Sequence, residues 1–224
     1  MSVRLRYALL LAVAACVASP VSAANPSKIA ITPESRDAAV IMRAPSTSAV
    51  YTLAIARYDP AAQDLSGGWE ALPVPTAEQR SSDYVVQKVK PGTYVVRELI
   101  QQARWGVCFH AGTLQFDVKP GQAVYLGEFD AGTPLGELQR NALSRRDLVA
   151  GSYTLHNYFD GISTPRFTQP ADPALPEVRA FMAEALPRTR VAPVAAQFRP
   201  ATFSTGRALL GARVCGGMVR KKKS

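Results

Sequence analysis

Histidine and cysteine are scarce in this chain. Its 224 residues hold two histidines and three cysteines. Zinc sites draw on clusters of these residue types at close spacing. The nearest approach to one is Cys108 and His110, two positions apart and without an evident third ligand, so neither a metal nor a cofactor is expected. His110 precedes Ala111-Gly112 and reads as a turn residue. The Gly-x-Ser-x-Gly elbow of an α/β hydrolase is missing, as are a phosphate-cradling glycine-rich loop and an EF-hand loop. A cysteine nucleophile needs an activating base, and Cys108 has only His110 and His156 to draw on. Asp117, Glu128 and Asp130 are of the residue type that flanks a glycosidic bond, but they fit equally well on the solvent face of strands. The chain therefore reads as non-catalytic. A weak hydrolase built around His110 or these carboxylates ranks third among the readings.

Acidic residues are missing from one end. From 188 to 224 there are nine basic residues and no acidic one, whereas 24–187 carry 15 basic and 17 acidic residues. The positive excess is a property of the tail, not of the folded body. It ends in Arg220, Lys221, Lys222 and Lys223. Such a block reads as an interaction tail or a solvated end. Its expected partner is an anionic envelope surface or an envelope protein. Nucleic acid, the usual partner of a basic stripe, is set aside because the N-terminus indicates export.

That N-terminus has the anatomy of a secretory signal. Arg4 and Arg6 precede a short apolar stretch, and Val21 and Ala23 suit cleavage before Ala24. Residues 1–23 are thereby excluded from the fold. A competing cut is written in Val13-Ala14-Ala15-Cys16, which makes Cys16 a candidate lipidation site and the protein a membrane-tethered adaptor. No later apolar run approaches the length of a membrane span. The mature chain is expected to be periplasmic or secreted, or lipid-anchored in the alternative. Two cysteines then remain, Cys108 and Cys215, and an oxidising compartment favours a disulfide between them. A bridge closing a loop of roughly a hundred residues stabilises by about 4 kcal/mol in the chain-entropy view.

Short runs rich in Val, Ile, Tyr and Phe recur through the first half. They cover 28–31, 40–42, 51–57, 83–89, 93–100, 105–109, 114–118 and 123–129, bounded by Gly, Pro, Asp and Ser. Tyr51, Leu53 and Ile55 share a face, as do Trp105, Val107 and Phe109, with Cys108 opposite. Val-Lys-Pro-Gly occurs twice, and in both Pro91-Gly92 and Pro120-Gly121 the pair predicts a type II turn. The run from Val89 to Phe129, with Pro-Gly-x-Tyr feeding one strand and Pro-Gly-Gln feeding the last, resembles the secreted prealbumin-like and carboxypeptidase-regulatory-like β-sandwiches. That resemblance implies a sandwich with an accessory, adhesive or structural role.

The predicted architecture is mainly β. A small antiparallel β-sandwich over 24–132 is followed by an arm over 133–187 and a basic tail over 188–224. The arm is rich in proline, which forbids long regular elements. One amphipathic helix is expected in it, capped by Asp172, with Pro173 in the first turn and Leu175, Val178, Phe181, Met182 and Leu186 facing the sandwich. Trp69, beside Gly67-Gly68, is expected in a loop. There it serves as a candidate partner-binding residue or as a lid over one end of the sandwich.

Overall fold

A computed structural model describes residues 26–45, 47–101, 105–144, 157–172, 175–207 and 213–216. Cys16, His156, Pro173 and the basic cluster Arg220, Lys221, Lys222 and Lys223 lie outside the described residues. So do residues 1–23.

The fold is the expected mainly β sandwich. Its first eight strands are β1 Ala38–Arg43, β2 Tyr51–Asp59, β3 Asp64–Val74, β4 Tyr84–Val89, β5 Gly92–Gln101, β6 Trp105–Cys108, β7 Thr113–Val118 and β8 Ala123–Phe129. Short strands from the rest of the chain join them: β9 Asn157–Tyr158, β10 Phe167–Thr168, β11 Pro193–Ala195 and β12 Arg199–Ala201. A small hairpin pairs β13 Gly206–Arg207 with β14 Arg213–Val214. The first sheet runs β10-β8-β1-β4, with β11 also on β8. The second runs β12-β7-β5-β2-β3, extended through β6 and β9 beside β5. Most pairs are antiparallel, but β8 runs parallel to both β1 and β11, and β6 runs parallel to β9.

Alternation along the strands builds the layers. Ala38, Val40 and Met42 of β1 face Tyr51, Leu53 and Ile55 of β2 and Tyr94, Val96 and Leu99 of β5 across the inner core. Ala39 and Ile41 point the other way. A strand apolar on both faces needs a cover on its outer side. That cover is the helix α2, Pro176–Ala185, with Leu175, Val178, Met182 and Leu186 buried against the sheet. The helical face is as expected, but the start is not. The helix opens with Pro176 in its first turn, after Leu175 at φ 49°, and not at Asp172 and Pro173. A second helix, α1 Gly132–Ser144, closes the inner core with Leu135, Leu138 and Ala142. The Asp130 side chain accepts hydrogen bonds from the Thr133 amide and hydroxyl at its start.

Three local expectations are corrected. Residues 28–31 form no strand: Pro26–Lys28 is a single 3-10 turn, and Ile29 and Ile31 pack into the cluster around α2. Trp69 lies in no loop, since β3 runs through it and pairs it with Ala56 of β2. The two Pro-Gly turns also differ. Gly121 has φ 66°, near the type II value, and a Cβ there would sit 2.5 Å from the Pro33 carbonyl oxygen. Gly92 has φ 152° and is already paired with Val118 as the first residue of β5.

Candidate functional site

The outer face of the first sheet carries a row of side chains set by register. Arg43, the last residue of β1, stands opposite Tyr84 of β4 on one side and Glu128 of β8 on the other. Thr168 of β10 continues the row beyond Glu128. The pairing of β1 with β8 slips between Ile41 and Arg43, because Ile41 faces Tyr125 while Arg43 faces Glu128. The additional residue on β8 leaves Gly127 at φ 105°, in the left-handed range, and a Cβ there would meet the Thr168 carbonyl oxygen at 2.6 Å. Bulges of this kind re-aim side chains. This one delivers a carboxylate, where a regular ladder would have set the glycine opposite Arg43.

These residues, the 168–172 connection and the first turn of α2 line a cleft of about 430 Å³. Arg43 Nη1 lies 3.3 Å from Glu128 Oε2 and 3.7 Å from Glu177 Oε2. Tyr84 stacks on Phe181 of α2 with ring centroids 4.4 Å apart, and its ring lies 6.3 Å from that of Tyr125. Tyr125 is 3% exposed as a residue, but its hydroxyl opens on the cleft: the buried unpaired side-chain groups among the described residues include the Tyr51 hydroxyl and not that of Tyr125, for which no hydrogen bond is formed among them. The same holds for the Tyr84 hydroxyl. Burial pushes the Tyr125 phenol up to about 12, and Glu128 and Glu177 add to the rise against the opposing pull of Arg43. Tyr84 is raised as well, chiefly by burial. Both phenols therefore stay protonated at ordinary pH and offer a donor and an acceptor each. The cleft has the volume and mixed lining of a binding pocket.

The outer face of the second sheet is closed instead. Cys108, pointing away from Trp105 and Val107, is bridged to Cys215 across a separation of 107 residues. Phe203 and Cys215 pack on Ala56, Tyr58, Leu65 and Val95. A register shift between β2 and β5 leaves Arg97 as the additional residue. Its guanidinium donates from Nε and Nη2 to the Cys215 carbonyl oxygen at 2.9 and 2.6 Å. It also lies 5.6 Å from the ring of Trp69, which is 45% exposed. Beneath, the buried Glu98 accepts a short hydrogen bond from Tyr158, whose phenol is raised by burial first and then by that carboxylate.

The other candidates are dispersed. Asp117 bonds to Thr93 and Arg199 on the second sheet, Glu128 belongs to the cleft, and Asp130 serves the start of α1. The structure does not gather them into one carboxylate site. His110 follows β6 in a turn, where its carbonyl oxygen accepts the Phe203 amide. Among the described residues no group of three or more His, Cys, Asp or Glu is placed to hold a metal ion. Nor is any helix among them long and apolar enough to cross a membrane. The cleft residues Arg43, Tyr84 and Tyr125 were not picked out from the sequence, although one signal was present. An isolated glycine inside a strand, here Gly127, marks a bulge. No family model matches the chain, and no curated protein or solved structure matches it either.

Proposed function

We propose that this is a non-catalytic exported protein of the cell envelope, periplasmic or secreted, which binds another envelope component through the tyrosine cleft. The observation that carries the reading is the cleft itself. Two buried or half-buried phenols with unused hydrogen-bonding capacity stand beside an Arg–Glu–Glu cluster. Such a set favours recognition of a polar or charged ligand, because each hydroxyl opens on the cleft with a donor and an acceptor to offer. The Cys108–Cys215 bridge supports an oxidising compartment. The resemblance of 89–129 to prealbumin-like sandwiches supports an accessory role.

A photoreactive phenylalanine analogue at Tyr84, expressed in the native host, tests the reading. The control carries the same group at Leu143, which is 49% exposed on α1, a different element from those lining the cleft. Irradiation is expected to give a discrete adduct from position 84 alone. No adduct, or the same adducts from both positions, sinks the cleft as a binding site. Turnover of ester, peptide or glycoside substrates that a single point change abolishes would overturn the non-catalytic part. Intact mass of the same material separates the two N-termini. A chain starting at Ala24 or Asn25 is free, and an acylated chain starting at Cys16 is the tethered adaptor.

A further inference from the structure

Independently of the cleft, we propose that the end of the first sheet at which β1 and β8 begin is a docking surface for an anionic lipid bilayer. Contacts between separate connections gather cations there. Lys88 and Lys90, at the end of β4, each reach Asp37 at 2.7 Å. The Asp37 carbonyl oxygen accepts the Gly121 amide, which brings the turn of Lys119 to the same place. The segment after α2 runs back along the first described residues. There the Arg190 amide donates to the Ile31 carbonyl at 2.7 Å, and the Thr189 hydroxyl to that of Ile29 at 3.3 Å. Arg188 and Arg190 thereby join Lys28 and Arg36 at this end, so part of the basic excess of 188–224 is built into the fold. All seven cations are exposed. Lys28, Arg36, Lys119, Arg188 and Arg190 form no ion pair among the described residues. The carboxylates here are Glu34, Asp37 and, in the last turn of α2, Glu184. The end of α2 adds about half a negative charge. Seven cations against three carboxylates leave a positive surplus. On the second-sheet half of the same end, Asp59, Asp64 and Asp117 offset Arg57 and Arg199, so the surplus belongs to the first-sheet half.

These charges come from separate connections and spread across one end of the sandwich. What complements them is a plane of anions, not a single one. An anionic bilayer is such a plane, and each Lys or Arg held near it strengthens binding about fivefold. Exposed Ala30, Pro33, Pro120 and Pro187 lie among the cations in sequence. A mixture of basic and apolar groups suits the headgroup boundary of a membrane. The fold also sets what such docking does to the cleft. β1 leads from Ala38 at the basic end to Arg43 in the cleft, and α2 runs the other way, from Glu177 in the cleft towards Arg188. The six residues of β1 span about 17 Å, so a chain docked by its basic end holds the cleft open on the side away from the bilayer. Pro26, the first described residue, lies at the basic end as well. The alternative tether at Cys16 would therefore enter the fold from the membrane side.

Co-sedimentation of the chain from Ala24 onward with lipid vesicles tests this, at about 20 mM and about 500 mM salt. The vesicles are phosphatidylcholine alone, or phosphatidylcholine with about 30% phosphatidylglycerol. Binding is expected only where phosphatidylglycerol is present, and the higher salt is expected to weaken it about tenfold or more. R36S/R188S/R190S is expected to lose about a hundredfold at low salt, from three charges at about fivefold each. K221S/K222S/K223S removes the same charge from the tail and is expected to lose less than about tenfold. K28S/K119S, in two other connections, repeats the test with an expected loss of about twentyfold. Far-UV circular dichroism checks that the variants keep the fold. A wild-type chain that leaves the phosphatidylglycerol vesicles unbound overturns the proposal. So does vesicle binding that the tail variant loses as fully as R36S/R188S/R190S, since the tail then carries it. Binding to poly-glutamate but not to vesicles makes the partner an acidic polypeptide and overturns the bilayer. None of these outcomes touches the cleft, which stands or falls with the Tyr84 photo-adduct.

Discussion

The two outer faces of this sandwich are covered by opposite strategies. On the second sheet a C-terminal segment lies over β2 and β5 and is fastened covalently through Cys108–Cys215. Polar groups there are consumed internally: Arg97 by the Cys215 carbonyl, Glu98 by Tyr158, Tyr58 by the Thr202 carbonyl. On the first sheet α2 rests by apolar packing alone at one end, and at the other a cleft stays open with tyrosine hydroxyls unspent. A face that satisfies its own polar groups is built to stay shut, whereas hydroxyls that open on a cleft can still bond to what enters it. Under the proposed function, this difference divides the work: stability to the disulfide face and recognition to the helix face.

Breaking the covalent lock tests this division most severely. Cys108→Ser with Cys215→Ser, or reduction of the native bridge, frees a loop of 107 residues. Urea unfolding is expected to show a loss of about 4 kcal/mol. Ligand binding at the cleft of the protein that remains folded is expected to stay unchanged. A reduced protein with the midpoint of the oxidised one would mean that packing of Phe203 and the Arg97 fork suffices, and the contrast between the faces would collapse. Next in size is Gly127→Ala, which strikes the other face. The residue sits at φ 105° with the Thr168 carbonyl where its Cβ would go. A cost of about 2 kcal/mol is expected for such backbone strain, together with loss of cleft binding as β10 is pushed away and Glu128 is turned from Arg43. Unaltered binding in a destabilised Gly127→Ala protein would show that the bulge does not aim Glu128.

How much of this was legible in the sequence differs between the faces in the same way. The disulfide followed from two cysteines in a chain whose N-terminus reads as an export signal, and the outward parity of Cys108 from strict alternation in Trp105-Gly106-Val107-Cys108. The buried helix face followed from Leu175, Val178, Met182 and Leu186 at helical spacing. The strand β3 was hidden because Gly67, Gly68 and Pro73 interrupt the apolar alternation that marks a strand. Its pairing with β2 also slips between Ala56 and Tyr58, so it is an edge strand with a bulge. The start of α2 was misjudged because Asp172 and Pro173 imitate a capped first turn three residues early. The cleft was the least visible feature. Its row of Tyr84, Arg43, Glu128 and Thr168 comes from four strands and exists only once their register is known.

Trp69 offers a smaller test on the closed face. Its ring stands beside Arg97 on the exposed side of β3. Trp69→Ala is expected to lower stability by about 0.5–1 kcal/mol, the usual worth of an exposed cation–π contact. Because Arg97 also holds the Cys215 carbonyl, faster reduction of the bridge by a fixed thiol concentration should accompany it, with cleft binding unmoved. Diminished cleft binding would place Trp69 in the recognition surface after all, and would blur the boundary between a sealed face and an open one.

The smallest expected effect lies at the seam of the open-faced sheet, where ions take the place of a covalent bond. Asp37, just before β1, accepts from Lys88 and Lys90 at the end of β4, each at 2.7 Å. The Lys88 hydrogen bond first and the Lys90 hydrogen bond second hold its carboxyl at about 2, below the ordinary 3.8. A carboxyl with a depressed folded pKa binds protons more readily in the unfolded chain, so it favours the fold above the unfolded value. That contribution is complete above about pH 4 and fades as pH falls through about 2. Asp37→Asn should therefore lower the melting temperature modestly at pH 7, and the gap to the wild type should close between pH 4 and 2. Salt should shrink the same gap, because the pair is partly exposed. The disulfide increment on the opposite face should show neither dependence, since a bridge carries no proton and no charge. A gap that persists unchanged at pH 2 would mean that Asp37 acts through its shape and its backbone contact with Gly121. The first sheet would then owe nothing to charge at this seam, and its two faces would differ only in what covers them.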